Sequence, residues 1–217
     1  RERYGIRKEG ALEELINVIA RSSGSLTNPR RLADALRREG RGAITEDTVK
    51  SYLDILQDSF LIEKSRRYDI KGRHCLGTPS KYYFSDTGLC SARLGFSHAE
   101  FPRLMRNVIC NELRLRGFSV DAGEVGFTET GDNGRRRRSS LEVDFVCNQG
   151  CRRYYIQSAY LLQDREMAQE SRALLKVRDG FRKIIISGSP TPMYQNDDGI
   201  VIMNIWDFLM NPESLSL

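Results

Sequence analysis

The chain has 217 residues, 40% hydrophobic and 29% charged, which is enough to bury one or two cores and too polar for a membrane protein. No apolar run approaches the ~18 residues of a membrane span, and no apolar leader follows a basic start, so neither a membrane span nor a secretory signal is expected and a cytoplasmic location is. The net charge of +5 and pI near 9.0 favour acidic partners only weakly at this size, so local clusters of charge matter more than the total.

The chain opens at Arg1 inside a charged run and reads as part of a longer protein. Leu12, Leu15, Ile16 and Ile19 repeat at helical spacing and predict a first helix. Asn28 and Pro29 supply an N-cap and a first-turn proline for a second helix through Leu32, Ala35 and Leu36, with Gly40 as its stop. A third begins at Thr45, with Glu46 and Asp47 favoured in its first turn by the helix dipole. Its predicted apolar stripe is Val49, Tyr52, Leu53, Leu56 and Phe60. Strand-like runs follow at Leu61–Arg67 and Lys81–Phe84, joined by a polar segment holding Gly72, Gly77 and Pro79.

Three helices and a two-stranded wing are the order of a winged helix-turn-helix, expected over residues 1–95. Its functional reading is duplex DNA in contact with the third helix. Glu46, Asp47, Asp54 and Asp58 against Lys50 alone oppose that, because an acidic face is repelled by phosphate. The wing suits DNA better, since Lys64, Arg66, Arg67, Lys71, Arg73 and Lys81 are candidate phosphate contacts. The competing reading is a packing element with a solvated basic hairpin.

Residues 96–217 change rhythm. A helix is predicted from about Pro102 to Arg116, ended by Gly117. Strands are predicted at Phe118–Ala122, with an extension toward Phe127, at Leu141–Cys147 and at Arg153–Tyr160. A helix over Asp164–Val177 and a strand at Lys183–Ser187 complete an αβββαβ succession, and Trp206 and Phe208 fit a short terminal helix. Arg135, Arg136, Arg137 and Arg138 follow the turn signal Gly131-Asp-Asn-Gly134 and are expected to extend from a hairpin beside the motif strands, with phosphate clamping as the functional reading and an exposed, flexible tip as the alternative. The cysteines at 75, 90, 110, 147 and 151 form no CxxC pair and only two histidines exist, so reduced thiols are expected. A zinc site would need Cys147 and Cys151 together.

The αβββαβ order resembles the core of the PD-(D/E)XK nuclease superfamily, and the class expected is therefore α/β (α+β). Such chemistry needs carboxylates around a divalent metal and a lysine that positions water. Strand alternation is expected to place Glu142 and Asp144 on one face, and Gln157 and Ala159 on one face of the next strand. Glu112 adds a carboxylate from the preceding helix. The candidate catalytic set is thus Glu112, Glu142, Asp144 and Gln157, with Glu112 and Asp144 as ligands for magnesium or manganese. Gln157 is a weaker, neutral ligand, and Ala159 stands where the lysine belongs. Lys176 is the nearest lysine in sequence that a migrated role would use.

The strings Lys81-Tyr-Tyr-Phe-Ser-Asp-Thr-Gly-Leu89, Asn111-Glu-Leu-Arg-Leu-Arg-Gly-Phe118, Glu142-Val-Asp-Phe-Val146 and Tyr155-Ile-Gln-Ser-Ala-Tyr160 resemble the C-terminal region of prokaryotic AAA-type P-loop ATP-binding proteins. The resemblance implies an ATPase domain upstream, then a winged helix and a nuclease-like domain of unassigned function. Arg106-Asn107 departs from the Glu-Asn usual in that group. No G-x-x-x-x-G-K-[ST] occurs here, so ATP belongs to the upstream domain and this chain has no cofactor of its own beyond the metal considered above. The resulting expectation is a module that binds DNA or a partner, with oligomers formed through the ATPase domain and no catalysis of its own. A metal-dependent DNA nuclease and a pure protein-interaction or oligomerisation module are the alternatives.

Overall fold

The computed structural model describes residues 9–38, 44–97, 101–130, 135–162 and 164–216. The expected helix stop at Gly40 and turn at Gly131–Gly134 lie outside them. The fold is mixed α+β: seven α-helices and eight strands stand among the described residues. The sheet order is β2-β1-β3-β4-β5-β6-β8-β7. Two compact units divide the chain. The first comprises Arg1–Ser65 and Thr78–Val108, the second Arg66–Gly77 and Ile109–Leu217.

In the first unit, α1 (Glu9–Arg21), α2 (Pro29–Arg38) and α3 (Glu46–Asp58) precede the start of β1 (Ile62–Asp69), up to Ser65, and the part of β2 (His74–Phe84) from Thr78 on, and α4 (Thr87–Arg93) follows. The Asn28 side chain accepts from Arg31 N at 2.8 Å and opens α2. Thr45 accepts from Thr48 N at 3.2 Å and opens α3. Leu15, Ile16, Ile19, Leu32, Leu36, Val49, Leu53 and Leu56 meet in one core. Phe60 corrects the predicted α3 stripe. It lies past the C-cap Ser59 with φ 56° and is 77% exposed. Helix α4 went unpredicted, although Asp86 caps it through Gly88 N and Leu89 N at 2.7 and 3.2 Å.

Asn107 ties this unit together. On α5 (Phe101–Leu115), fully buried, it accepts from Ser23 Oγ at 3.0 Å and Phe84 N at 2.9 Å and donates to Phe84 O at 2.7 Å. Gly24, with φ 73°, lies where a Cβ would come within 3.1 Å of the Tyr83 ring and 3.2 Å of Arg106 Cδ.

The second unit is built on β3 (Ser119–Thr130), β4 (Arg136–Gln149), β5 (Arg152–Ala159), β6 (Arg182–Ser187), β7 (Tyr194–Gln195) and β8 (Val201–Asn204), with α6 (Asp164–Lys176) and α7 (Ile205–Met210). Strands β3–β4 and β4–β5 are antiparallel, while β5–β6 and β6–β8 are parallel. The β1 residues of this unit pair parallel with β3, Arg67 opposite Ala122 and Asp69 opposite Glu124. Helix α6 packs on one sheet face, where Val125, Val143, Val146, Tyr155, Ala159, Leu174, Val177, Ile185 and Ile202 form a cluster.

A bulge breaks the β3–β4 register. Asp121 is opposite Val146 and Gly123 opposite Val143, so the single residue Ala122 faces two, Asp144 and Phe145. Val143 and Val146, three apart, consequently share the α6-side cluster. The extra residue of β4 thus falls at Asp144 and Phe145, directly after the regular pairing of Glu142 and Val143.

Candidate functional site

The candidate nuclease residues are mostly occupied by the fold itself. Asp144 is buried at 5% exposure, and its Oδ2 accepts from Ser158 N at 3.1 Å. Gln157 reaches across the strands: its Oε1 accepts from Asp144 N at 3.0 Å and its Nε2 donates to Glu170 Oε2 on α6 at 2.6 Å. The amide thus braces β4, β5 and α6, and its oxygen already serves as an acceptor. Ala159 packs in the α6-side core, a place where a lysine would bury its ammonium. Glu142 is exposed and lies opposite Glu124, whose Oε2 pairs with Arg67 Nε at 2.8 Å.

Glu112 belongs to a different structure. Its Oε1 accepts from Arg116 Nε at 2.8 Å, and Arg116 reaches Pro212 O at 3.1 Å, Ser214 Oγ at 3.0 Å and Phe208 O, with its guanidinium 4.3 Å from the Phe208 ring centre. This arginine clamps the C-terminal segment, and Glu112 orients it. The carboxylate is therefore committed to a clamp instead of joining Asp144. Among the described residues no group of three or more His, Cys, Asp or Glu side chains is placed to hold a metal ion. Cys147 is fully buried and Cys151 exposed. Burial, with Cys110 and Asp121 nearby, holds the Cys147 thiol well above its ordinary pKa.

The basic residues divide sharply. Lys81, expected as a wing contact, is fully buried in the Lys81–Phe84 run and is withdrawn from any surface role. Arg66, an exposed side chain, lies 3.6 Å from Asp121 Oδ1, and the partly buried Arg67 pairs with Glu124 at 2.8 Å, so each has an acidic neighbour. Lys64 is exposed in the first unit. The exposed face of α3 carries Glu46, Asp47, Asp54 and Asp58 beside Lys50, as its sequence suggested.

Arg136, Arg137 and Arg138 are the first residues of β4, paired with β3. Register places Arg138 opposite Thr128, Arg137 opposite Glu129 and Arg136 opposite Thr130. Alternation then splits the run. Arg136 and Arg138 line an open groove of about 510 Å³ with Thr128 and Thr130. Arg137 takes the other face, opposite Glu129, which is 3.3 Å from Arg172 on α6. Arg135 precedes the strand and is exposed. The threonines escaped notice because nothing in their own neighbourhood signals a site; only the pairing register brings them to the arginines.

Lys71 and Arg73 come together with residues far along the chain. With Lys176, Arg178, Asp179, Ile70, Val125 and Val177 they line a second, smaller cavity of about 200 Å³. Lys176 is placed here, its Nζ 5.3 Å from the centre of the Phe127 ring, while Glu170 is the α6 residue that meets Gln157.

Among known proteins, a model described as Domain of unknown function (DUF8612) matches residues 1–100. An uncharacterised protein of Haemophilus influenzae (strain Rd) is 30% identical over 210 residues, covering 96% of this chain and 48% of its own length. The chain therefore spans about half the length of that curated relative. No solved structure matches it.

Proposed function

We propose that this chain binds the nucleic-acid backbone through the β3–β4 ribbon, without sequence preference and without cleaving it. The observation that carries the reading is the pairing of Arg136 with Thr130 and Arg138 with Thr128 along one groove. Two guanidinium groups and two hydroxyls along paired strands are donors suited to successive phosphates, and contacts of that kind position a strand without reading its bases. The finer fold reading belongs to the same proposal: a winged helix, then a PD-(D/E)XK-like αβββαβ domain used as a scaffold. The sequence α5-β3-β4-β5-α6-β6 supports it.

The absence of cleavage rests on committed side chains. Asp144, Gln157 and Glu112 each make a structural bond, and Ala159 has no amine to position water. Incubation with single-stranded, duplex and branched DNA in manganese is expected to leave the substrates intact. Metal-dependent cutting that vanishes in Asp144→Ala would overturn this part.

The reading also places the chain in a larger protein with an upstream AAA-type P-loop ATPase domain. Its match to about half of the Haemophilus protein supports a larger parent. The full-length gene product settles the matter: an upstream region without a P-loop sinks the ATPase assignment. One observation favours a second reading, a module that docks on a basic protein surface. The four exposed carboxylates of α3 form a face that repels phosphate and suits cationic side chains.

Binding is measured by a salt titration of affinity for duplex DNA. Weak, sequence-indifferent binding that falls steeply with salt is expected, and no detectable binding at ~50 mM salt would favour the protein-docking reading.

A further inference from the structure

The smaller cavity of the second unit is a meeting of three segments. The β1–β2 turn brings Lys71 and Arg73, the end of α6 brings Lys176, and the segment after it brings Arg178 and Asp179. The floor is apolar: Ile70, Val125 and Val177 are all buried. The turn is held in shape from within, since Asp69 Oδ1 accepts from Lys71 N at 3.0 Å and Gly72 N at 2.9 Å. Asp179, the single acid, is engaged elsewhere: its Oδ2 accepts from Tyr155 OH at 2.6 Å and its Oδ1 from Phe181 N at 3.2 Å.

Four cations against one committed carboxylate make a strongly positive cavity. The α6 C-terminus contributes only a partial negative charge of about half an electron, which Lys176 in the last turn offsets. At about 200 Å³ the space is smaller than the ~300–1,000 Å³ that encloses a drug-sized ligand, so it fits one compact anionic group and not a whole nucleotide. A phosphodiester brings one charge, whereas a phosphate monoester brings about −1.5 to −2 at neutral pH and three acceptor oxygens. We infer that this cavity binds a phosphate monoester, held by Lys71, Arg73, Lys176 and Arg178.

The cavity and the Arg136–Arg138 groove share no residue, so each is tested without the other. Two sources supply a monoester: the phosphorylated end of a nucleic-acid strand, or a free phosphate compound. The experiment compares a 5′-phosphorylated oligonucleotide with its 5′-hydroxyl twin by fluorescence anisotropy, beside calorimetric titration with inorganic phosphate and a nucleoside monophosphate. The phosphorylated strand is expected to bind about tenfold tighter, as charge-assisted contacts to an added dianion warrant. Lys176→Ala with Arg178→Ala, both at exposed positions, should remove that advantage and leave the 5′-hydroxyl strand unchanged. Lys71→Glu should do the same by an independent substitution.

Inorganic phosphate that displaces the phosphorylated strand to the affinity of its twin identifies strand ends as the source. Saturable phosphate or monophosphate binding, lost in the cavity variants and without any end preference, identifies a free phosphate ester. Equal affinity for both strand ends together with no saturable phosphate binding overturns the inference. In that last case, strand binding that still depends on Arg136 and Arg138 would leave the groove reading standing. Conversely, phosphate binding without any strand binding would remove the groove reading and keep the cavity.

Discussion

Asn107 makes three hydrogen bonds from a fully buried position, so its removal deletes the buried bonds to Ser23 Oγ, Phe84 N and Phe84 O. Asn107→Ala is expected to destabilise the first unit by about 3 kcal/mol, read from the denaturant midpoint. Asn107→Asp keeps the acceptor and loses the donor, and introduces a buried charge, so it should be no milder. Tyr82 gives a pH signature. Burial, with Asp54 as a further cause, pushes its hydroxyl up from 10.0 to about 12. The folded state holds this proton more tightly than the unfolded one, so the contribution is complete below pH 10 and is lost as pH rises toward 12. The slope is at most ~1.4 kcal/mol per pH unit for one group. Tyr155 shifts in the same direction, through burial and its bond to Asp179, so Tyr82→Phe should reduce the alkaline loss without abolishing it. Unfolding curves taken on either side of pH 10 check this; an unchanged loss in the variant would refute it. At this scale the sequence disclosed residue types and not their employment. Asp144 was conspicuous beside Glu142, but the bonds that commit it and Gln157 come from Ser158, fourteen residues on, and Glu170, on a helix packed over the sheet.

The β3–β4 ribbon turns four consecutive arginines into unequal partners. Arg136→Ala with Arg138→Ala removes both groove contacts, and the logarithmic salt slope on duplex DNA should fall by about 1.8, at roughly 0.9 per phosphate. Arg137→Ala, on the face of Glu129 and Arg172, should leave the slope nearly unchanged. Equal effects from all three would mean that the ribbon does not present one face to the ligand. Further along the same strands, Gly123 lies beside the bulge, and a Cβ there would come within 2.7 Å of Val146 Cγ2, 2.9 Å of Val143 Cβ and 3.0 Å of Ile70 Cδ1. Gly123→Ala is therefore expected to cost about 1–3 kcal/mol of stability, as overpacking does. Thermal unfolding monitored by circular dichroism tests it. Helices were legible from caps and spacing at Asn28, Pro29 and Thr45. The bulge was not, because a single extra residue leaves composition untouched and shows only when two strands are aligned.

For the molecule as a whole, the chain enters the second unit at Arg66, leaves it at Thr78 and re-enters at Ile109. A change of rhythm near residue 95 was readable in the sequence, with six of the eight described strands following it. It did not reveal that Arg66–Gly77 belongs with the later strands, since the β1 segment earns its place by pairing with β3 some 55 residues later. A fragment of residues 96–217 should therefore expose the β3 edge that Arg67–Asp69 normally cover, and is expected to self-associate where a fragment starting at Ile62 stays dispersed. Size-exclusion chromatography with light scattering distinguishes them. The three crossings also bear on inheritance. A genetic exchange with a diverged homologue at any codon between 66 and 108 would give at least one unit pieces from two parents, so the two units are expected to descend as one block.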